Sequence, residues 1–228
     1  MVTDARMISV LGPLGLYPLT RVSLPARRLL ALLAIRGNEV ERQSVADTLW
    51  PEIPEETGRA NLRRSLWQVP RGWVSAIGDI LVLDAECDLP RARDTAIRAI
   101  EGGVVTFDEI DLLSSDVLPG WHDDWATEAF VEFRILRVQG LEAACRTLLD
   151  HGNFPLAIQA GSAAVAAEPL RESATEALIE VHLAQHNRYE AVRCYNQLAH
   201  LLEEDLGVAP MPSLTLRLSD AGLIHRVA

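Results

Sequence analysis

The C-terminal part of the chain repeats itself at an offset of 34 residues, and this period most constrains its fold. Long helical segments, separated by short breaks with Gly, Asn and Pro, are predicted at 121–150, 154–167, 171–185 and 189–205. The echo pairs Asn153, Ala157, Ile158 and Ala164 with Asn187, Ala191, Val192 and Leu198. A period of about 34 residues is typical of tetratricopeptide helix pairs, whose small residues let helices approach closely. The alanines would also suit a plain helical bundle, but the offset and the breaks favour the repeat.

The N-terminal part combines short strands with helices. The predicted elements are strands at 7–11, 14–19 and 21–24, helices at 26–38, 43–50 and 57–69, and a β-hairpin at 73–89. Pro25 and Gly37-Asn38 bound the first helix, Pro51 ends the second, and Gly78-Asp79 forms the hairpin turn. Two helices joined by a turn, the second one basic, and a following hairpin are the architecture of a winged helix-turn-helix.

The third of these helices carries the clearest functional signal. Residues Thr57–Arg71 hold four arginines and no acid. Thr57 is the predicted N-cap, because its hydroxyl can accept a hydrogen bond from a first-turn N–H. Pro70 cannot donate to a helical ladder and therefore predicts a helix end at Val69. The predicted inward, apolar stripe consists of Leu62, Leu66 and Val69.

The opposite face of this helix is predicted to meet DNA, because guanidinium groups grip phosphate or guanine and a Gln amide can read adenine. The predicted DNA-binding residues are Arg59, Arg63, Arg64, Trp67, Gln68 and Arg71. Arg59 and Arg71 are assigned to phosphates, which fix register without reading bases. Two alternatives stay open: a solvated basic face, and a core position for Trp67 against Trp50 or Trp73. Further phosphate candidates, equally consistent with solvated surface, are Arg27, Arg28 and Arg42.

Charge is distributed unevenly along the chain. Residues 1–100 carry 13 Arg against 12 Asp and Glu, whereas residues 101–228 carry 8 Arg against 20 acids. The net charge of −11 therefore resides in the C-terminal part, and the N-terminal part is free to meet a polyanion locally. An acidic second domain would repel DNA, so we expect it to face protein.

The residues present disfavour catalysis. The chain has no lysine, which excludes a lysine P-loop, a Schiff base and a lysine general base. His182 and His186 lie four residues apart on a predicted helix, but no third metal ligand is evident. Cys87, Cys145 and Cys194 are odd in number and widely spaced, which fits a reducing cytoplasm better than disulfides. We expect no enzyme, no cofactor and no metal.

Hydropathy predicts a cytoplasmic protein with no membrane partner. The longest apolar run, Leu29–Ile35, is far shorter than a membrane span, and the N-terminus lacks a signal-peptide pattern. The predicted fold is mostly α with a small β component. It consists of a winged helix-turn-helix domain over residues 1–100 and a tetratricopeptide-like all-α repeat domain over residues 101–228.

The C-terminal part closely resembles the bacterial transcriptional activator domain. The motifs that carry this resemblance are Leu118-Pro119-Gly120, Asp123-Asp124-Trp125, Glu168-Pro169-Leu170-Arg171-Glu172, Tyr195 and Glu204-Asp205-Leu206-Gly207-Val208 followed by Pro210. Upstream, the segments SVLGPLGL, RRLLALLAIRGN, SVADTLWPE, RANLRRSLWQV and ILVLDAECDL resemble an OmpR-type winged-helix domain. The whole chain is similar to the antibiotic regulatory proteins of actinobacteria, abbreviated SARP.

The resemblance implies a transcriptional activator that binds double-stranded DNA in a sequence-specific way. Such a protein binds promoter direct repeats and contacts RNA polymerase, controls a biosynthetic gene cluster and can form a homodimer. Gln68 and Pro70 depart from the family, whose recognition helices commonly end with further basic residues. They keep a second interpretation open, in which the helical repeats are a protein-interaction scaffold and a degenerate winged helix no longer reads DNA.

Overall fold

The computed structural model describes residues 6–37 and 39–223; residues 1–5, 224–228 and Asn38, part of the predicted helix stop, lie outside the described residues. The strands are β1 (Met7–Ser9), β2 (Gly15–Tyr17), β3 (Glu39–Glu41), β4 (Val74–Ile77), β5 (Ile80–Leu83) and β6 (Glu86–Cys87). The first helices are α1 (Leu24–Arg36), α2 (Arg42–Leu49), α3 (Glu55–Gln68), α4 (Asp88–Ile100) and α5 (Phe107–Leu113). The later helices are α6 (Asp124–Asp150), α7 (Phe154–Ala167), α8 (Glu172–Ala184), α9 (Arg188–Leu206) and α10 (Pro212–Asp220). This confirms the predicted fold class, mostly α with a small β component.

The chain divides into two compact units. The first runs to Arg91 and also contains Ser115–Phe133, whereas the second consists of Ala92–Ser114 and the chain from Arg134 onwards. The predicted domain boundary between residues 100 and 101 stays a prediction, because compact units defined by contacts need not coincide with evolutionary domains.

The core of the first unit is organised around α1. Ser23 caps this helix by accepting a hydrogen bond from the Ala26 N–H at 3.4 Å, and Pro25 fits the first turn, where no N–H partner is needed. Its Leu- and Ala-rich interior is buried at Ala26, Leu29, Leu30, Ala31, Leu32, Leu33 and Ala34. The predicted strand at 21–24 is therefore wrong, because Ser23 and Leu24 begin a helix.

Two small sheets complete the first unit. In one, β1 lies between β2, antiparallel to it, and β6, parallel to it; in the other, β5 lies between β3 and β4. The hairpin β4–β5 turns at Gly78, whose φ of 59° suits a residue without Cβ. Its predicted extension over residues 84–89 is wrong, because β6 leaves the hairpin to pair with β1 and Asp88 begins α4. β3 is a strand that the sequence pattern does not predict.

Residues 115–123 return to the first unit. Leu118 donates its N–H to Val10 O at 2.8 Å, and Gly12 donates to Asp116 O at 2.7 Å. Leu118 is 2% exposed. The Leu118-Pro119-Gly120 motif of the sequence therefore anchors this segment beside β1.

The second unit confirms the repeat that the offset predicts. Asn153 and Asn187 both cap their helices, accepting hydrogen bonds from the N–H of Leu156 and of Glu190. Ala157 and Ala191, which the offset pairs, are fully buried where α7, α8 and α9 pack together, and so are Ala160 and Ala164. Local capping and small residues thus produce two equivalent helix starts, 34 residues apart.

A partly buried ion pair joins α6 to the start of α8. Arg171 donates through Nε to Glu142 Oε1 at 2.5 Å, and Ser173 donates to the same oxygen at 2.8 Å. The Glu142 side chain is only 6% exposed, so its charge needs these donors. The motif that ends in Arg171-Glu172 therefore has a structural role in the second unit.

The last helix closes the array. Leu214 and Leu218 of α10 are buried against α8 and α9, whereas Leu216 is exposed. The predicted helix 121–150 begins later than expected, at Asp124.

Within residues 6–37 and 39–223, no helix has the length and hydropathy needed to cross a bilayer.

Candidate nucleic-acid interface

The arginine helix is α3, and it packs against α2 and α1 through a narrow inner face. Gly58, Leu62 and Ser65 are its buried residues, and an added Cβ on Gly58 would lie 3.9 Å from the Cβ of Ala46 in α2. Ser65 satisfies its buried hydroxyl by donating to Asn61 O at 3.0 Å. The buried face thus differs from the predicted stripe of Leu62, Leu66 and Val69. Of these three residues, only Leu62 is fully buried.

The start of α3 also differs from the prediction. The helix begins at Glu55 with Pro54 as its N-cap, so the prediction that Thr57 is the N-cap is wrong. Two acids in the first turn, Glu55 and Glu56, suit the positive end of the helix dipole, and this favours the earlier start. The predicted end is confirmed, since α3 stops at Gln68.

Trp67 lies on the outer face of α3. Its side chain is 89% exposed, whereas Trp73 is 3% exposed and takes the buried position after the helix. The alternative of a core position for Trp67 is therefore wrong. An exposed tryptophan of this size between arginines is expected on a surface that meets a partner.

Arg63 and Arg64 lie on either side of Trp67, and both are exposed. Arg64 donates through Nη1 to Asn61 Oδ1 at 3.2 Å. Among the described residues, no acid forms an ion pair with either guanidinium group. Both therefore keep donors for phosphate or guanine.

Arg59 is exposed but partly engaged. It pairs with Glu55 at 2.6 Å, and its Nε donates to Gln43 Oε1 at 2.8 Å. A cleft of about 460 Å³ beside it is lined by Glu41, Arg42, Gln43, Arg59, Leu62, Arg63 and Asp79. The neighbouring acids lower the positive potential here, so Arg59 has less charge to offer a phosphate than Arg63.

Gln68 faces the other flank of α3, towards the start of α1. The Ser23 hydroxyl donates to its Oε1. A cleft of about 230 Å³ at this flank is lined by Leu24, Pro25, Arg28, Trp50, Asn61, Arg64, Ser65 and Gln68. Ser23 was not found from the sequence, because a pair 45 residues apart leaves no local pattern.

The remaining arginines differ in what they can offer. Arg71 and Arg27 are exposed, and Arg42 is half-buried. Arg28 forms an ion pair with Asp123 and donates to Leu49 O at 3.2 Å, so it holds the start of the 123–125 motif against α1 and α2. We therefore regard Arg28 as a structural residue.

The hairpin tip carries two exposed isoleucines and one acid, Asp79. Ile77 is 69% exposed and Ile80 is 38% exposed, and they flank Gly78-Asp79. The tip therefore has no arginine with which to grip a phosphate, as the sequence indicates.

Burial shifts the pKa of two titratable groups in the second unit, His182 and Cys145. Burial lowers the pKa of His182 and raises the pKa of Cys145 to about 11, so both are held neutral. Among residues 6–37 and 39–223, no group of three His, Cys, Asp or Glu side chains is placed to hold a metal.

Comparison with known proteins identifies the family of the chain. The model of the bacterial transcriptional activator domain family matches residues 92–219. The regulatory protein AfsR of Streptomyces coelicolor is 30% identical, over 93% of this chain and 24% of AfsR. The transcriptional regulatory protein MoaR1 of Mycobacterium bovis is 27% identical, over 92% of this chain and 77% of MoaR1. The chain thus spans about a quarter of AfsR, and both relatives are named as regulatory proteins.

The fold is also found in a solved structure. The structure of Mycobacterium tuberculosis EmbR, in complex with a low affinity phosphopeptide, superposes with a TM-score of 0.65. The match covers 97% of this chain and 66% of that chain at 22% identity. The shared architecture is a winged helix followed by a helical domain.

Proposed function

Because the chain belongs to the bacterial transcriptional activator domain family, as a SARP-type transcriptional regulator, we propose that it binds promoter DNA through α3 and activates transcription from it. The observation that carries this proposal is the outer face of α3, where Arg63 and Arg64 flank an exposed Trp67. The finer expectations, direct repeats, contact with RNA polymerase and control of a biosynthetic gene cluster, belong to the same proposal.

The dimensions of α3 suit the major groove. Its 14 residues span about 21 Å at 1.5 Å per residue, and a B-DNA major groove about 12 Å wide admits one helix. Arg63 and Arg64 supply bidentate donors for guanine or phosphate, and the Trp67 ring supplies apolar contact such as a thymine methyl accepts. Arg71, directly after the helix, and Arg59, despite its pairing with Glu55, complete the phosphate contacts.

The acidic C-terminal part, residues 101–228, is the proposed protein-binding part. Residues 101–228 carry 8 Arg against 20 acids, and such a surface repels the DNA backbone. We assign to it the contact with RNA polymerase and, if the protein dimerises, the contact with a second copy. Action at a bacterial promoter also requires the cytoplasmic location that the sequence predicts.

The test is fluorescence anisotropy with labelled duplex DNA from the region upstream of the protein's own gene, over a series of salt concentrations. The Arg63→Ala, Arg64→Ala double variant removes the two arginines that flank Trp67. We expect binding to weaken at least 10-fold, since each good arginine contact contributes about 1–3 kcal/mol. If both contact phosphates, the slope of log K against log salt falls by about 2.

The matched control is the Arg188→Ala, Arg193→Ala double variant, which makes the same charge change in the second unit. We expect it to bind DNA within about twofold of the wild type, because these arginines lie outside the proposed interface. Equal loss in both variants would mean that only total charge matters. Unchanged binding in the Arg63 and Arg64 variant would remove α3 from the interface.

A specific observation favours the scaffold alternative. Arg59, Arg28 and Gln68 are all engaged within the protein, by Glu55, Asp123 and Ser23 in turn, which reduces the free donors at the interface. Under this alternative the protein binds no duplex at low salt, whereas the DNA-binding proposal requires binding that weakens steeply as salt rises.

A further inference from the structure

The side chain of Gln68 is not free to present both ends of its amide to DNA. Ser23, the N-cap of α1, donates its hydroxyl proton to Gln68 Oε1. The same Ser23 Oγ accepts the Ala26 N–H at 3.4 Å, so the serine is itself fixed by the helix that it caps. The hydroxyl has a single proton, and that proton is directed at Gln68.

Gln68 also leans towards α1 as a whole. It lines the same cleft as Leu24 and Pro25, at the start of α1, and as Ser65 on the inner side of α3. The amide oxygen therefore faces α1, which leaves the NH₂ group as the end that can reach outwards. An amide held in this way directs its NH₂ donors outwards, while its oxygen is engaged by Ser23.

We propose that Ser23 is a positioning residue that makes Gln68 a donor-only reader, so that Gln68 selects guanine and not adenine in the bound DNA. Adenine recognition by glutamine is bidentate and needs the amide oxygen to accept from adenine N6 while the nitrogen donates to N7. Guanine presents two acceptors, O6 and N7, in the major groove, and an outward NH₂ group can satisfy them. The adenine N6 amino group would instead meet the amide NH₂, donor against donor.

This inference rests on the proposed function, since it requires that α3 enters a DNA major groove. The probe is a library of randomised double-stranded DNA, from which the protein of residues 1–228 selects its binding sites. The position read by Gln68 is identified as the one whose base preference disappears in Gln68→Ala. At that position we expect the wild type to prefer guanine over adenine by roughly 5- to 30-fold, the effect of one gained and one clashing hydrogen bond.

Three substitutions of Ser23 separate positioning from helix capping. Ser23→Thr keeps both the cap and the donor, so the guanine preference should be retained. Ser23→Asp keeps the cap but, as a carboxylate, can only accept, so it should turn the Gln68 NH₂ group inwards and the oxygen outwards. We expect this variant to reverse the preference towards adenine, and Ser23→Ala to reduce it at least threefold.

The measured quantity is the ratio of affinities of one protein preparation for two duplexes that differ at one base pair. This ratio does not depend on the fraction of protein that is folded, so a loss of capping by itself does not change it. A preference for adenine in the wild type, or one ratio shared by all the Ser23 variants, would overturn the inference. So would a Gln68→Ala variant that weakens every duplex equally, since Gln68 would then contact phosphate.

The two proposals fail in different ways. If no sequence is enriched from the library and no duplex binds at low salt, the proposed DNA-binding function fails and the inference fails with it. If sites are enriched and the Arg63 and Arg64 variant loses them, but the Ser23 variants share the wild-type preference, only the role of Ser23 is refuted.

Discussion

Gly140 of α6 is a position where a single added methyl group should destabilise the second unit. A Cβ built on Gly140 would lie 2.9 Å from both Cα and Cβ of Ala96 in α4 and 3.2 Å from Ala96 O. Ala96 is fully buried, and two of these three atoms belong to its backbone. The methyl group of Gly140→Ala can therefore be accommodated only if one helix shifts relative to the other.

Two opposing contributions set the change in the free energy of unfolding. Replacing a helical glycine by alanine stabilises by about 0.5–1 kcal/mol, because alanine loses less backbone entropy. Overpacking a tight core contact costs typically about 1–3 kcal/mol. The clash outweighs the propensity gain, so Gly140→Ala should lower the free energy of unfolding by roughly 1–2 kcal/mol.

Gly58 of α3 is the matched control. Its added Cβ would meet Ala46 at 3.9 Å, an ordinary van der Waals distance, so Gly58→Ala should instead raise stability by about 0.4–1 kcal/mol. Urea unfolding followed by circular dichroism measures both variants, with unchanged m-values as the check on compactness. Two stabilised variants, or two destabilised by equal amounts, would refute the packing argument, since helix propensity alone would then explain the data.

Two further predictions concern titratable groups of the second unit. Burial alone would raise the pKa of Glu109, but hydrogen bonds from Thr106 and Arg98 prevail and lower it. The stabilisation that follows is present above the ordinary pKa of 4.5 and is lost as the pH falls through the lowered pKa. Glu109→Gln should therefore be less stable than wild type at pH 7, and the difference should shrink as the pH falls below 4.5. A difference in chemical denaturation that does not change with pH would contradict this. Burial raises the pKa of Cys145 to about 11, so a thiol reagent at pH 8 should modify half-buried Cys87 first, and equal rates in mass spectrometry would contradict the burial.

Local signals predicted most of the helices. Asn153 and Asn187 cap equivalent helices because a side-chain oxygen acts within three residues of its own position. Pro70 ends α3 for a similarly local reason, the missing N–H and the restricted residue before it. Such signals can be read without knowing what lies elsewhere in the chain.

The short strands β3 and β6 could not be predicted from the sequence, because they depend on pairing between distant parts of the chain. β3 and β6 have three and two residues, which is too short for an alternating pattern to show. The carboxylate of Asp88 accepts from the Val10 N–H at 2.9 Å and from the Ser9 hydroxyl at 2.6 Å, and so ties β1 to the start of α4. Partners about 78 residues apart are not visible in any sequence window.

The candidate interface could be predicted only in part from the sequence. The alternation of arginines and apolar residues identified α3, and the structure leaves Arg63, Arg64 and Trp67 exposed there. Their contact with DNA stays a prediction. Which arginines are engaged was not predictable, because Arg28 meets Asp123 only where a later segment folds back.

The sequence by itself determined the helix order, the 34-residue repeat, the acidic C-terminal part and the basic helix, since each depends on neighbouring residues or on composition. Only the tertiary structure decided which side chains of that helix remain available to contact a partner. Trp73 rather than Trp67 fills the core, and Ser23 holds the oxygen of Gln68, because packing and hydrogen bonding bring together groups that are distant along the chain. The direction of a polar side chain is set by the partner that folding supplies, and this direction decides what the surface can recognise.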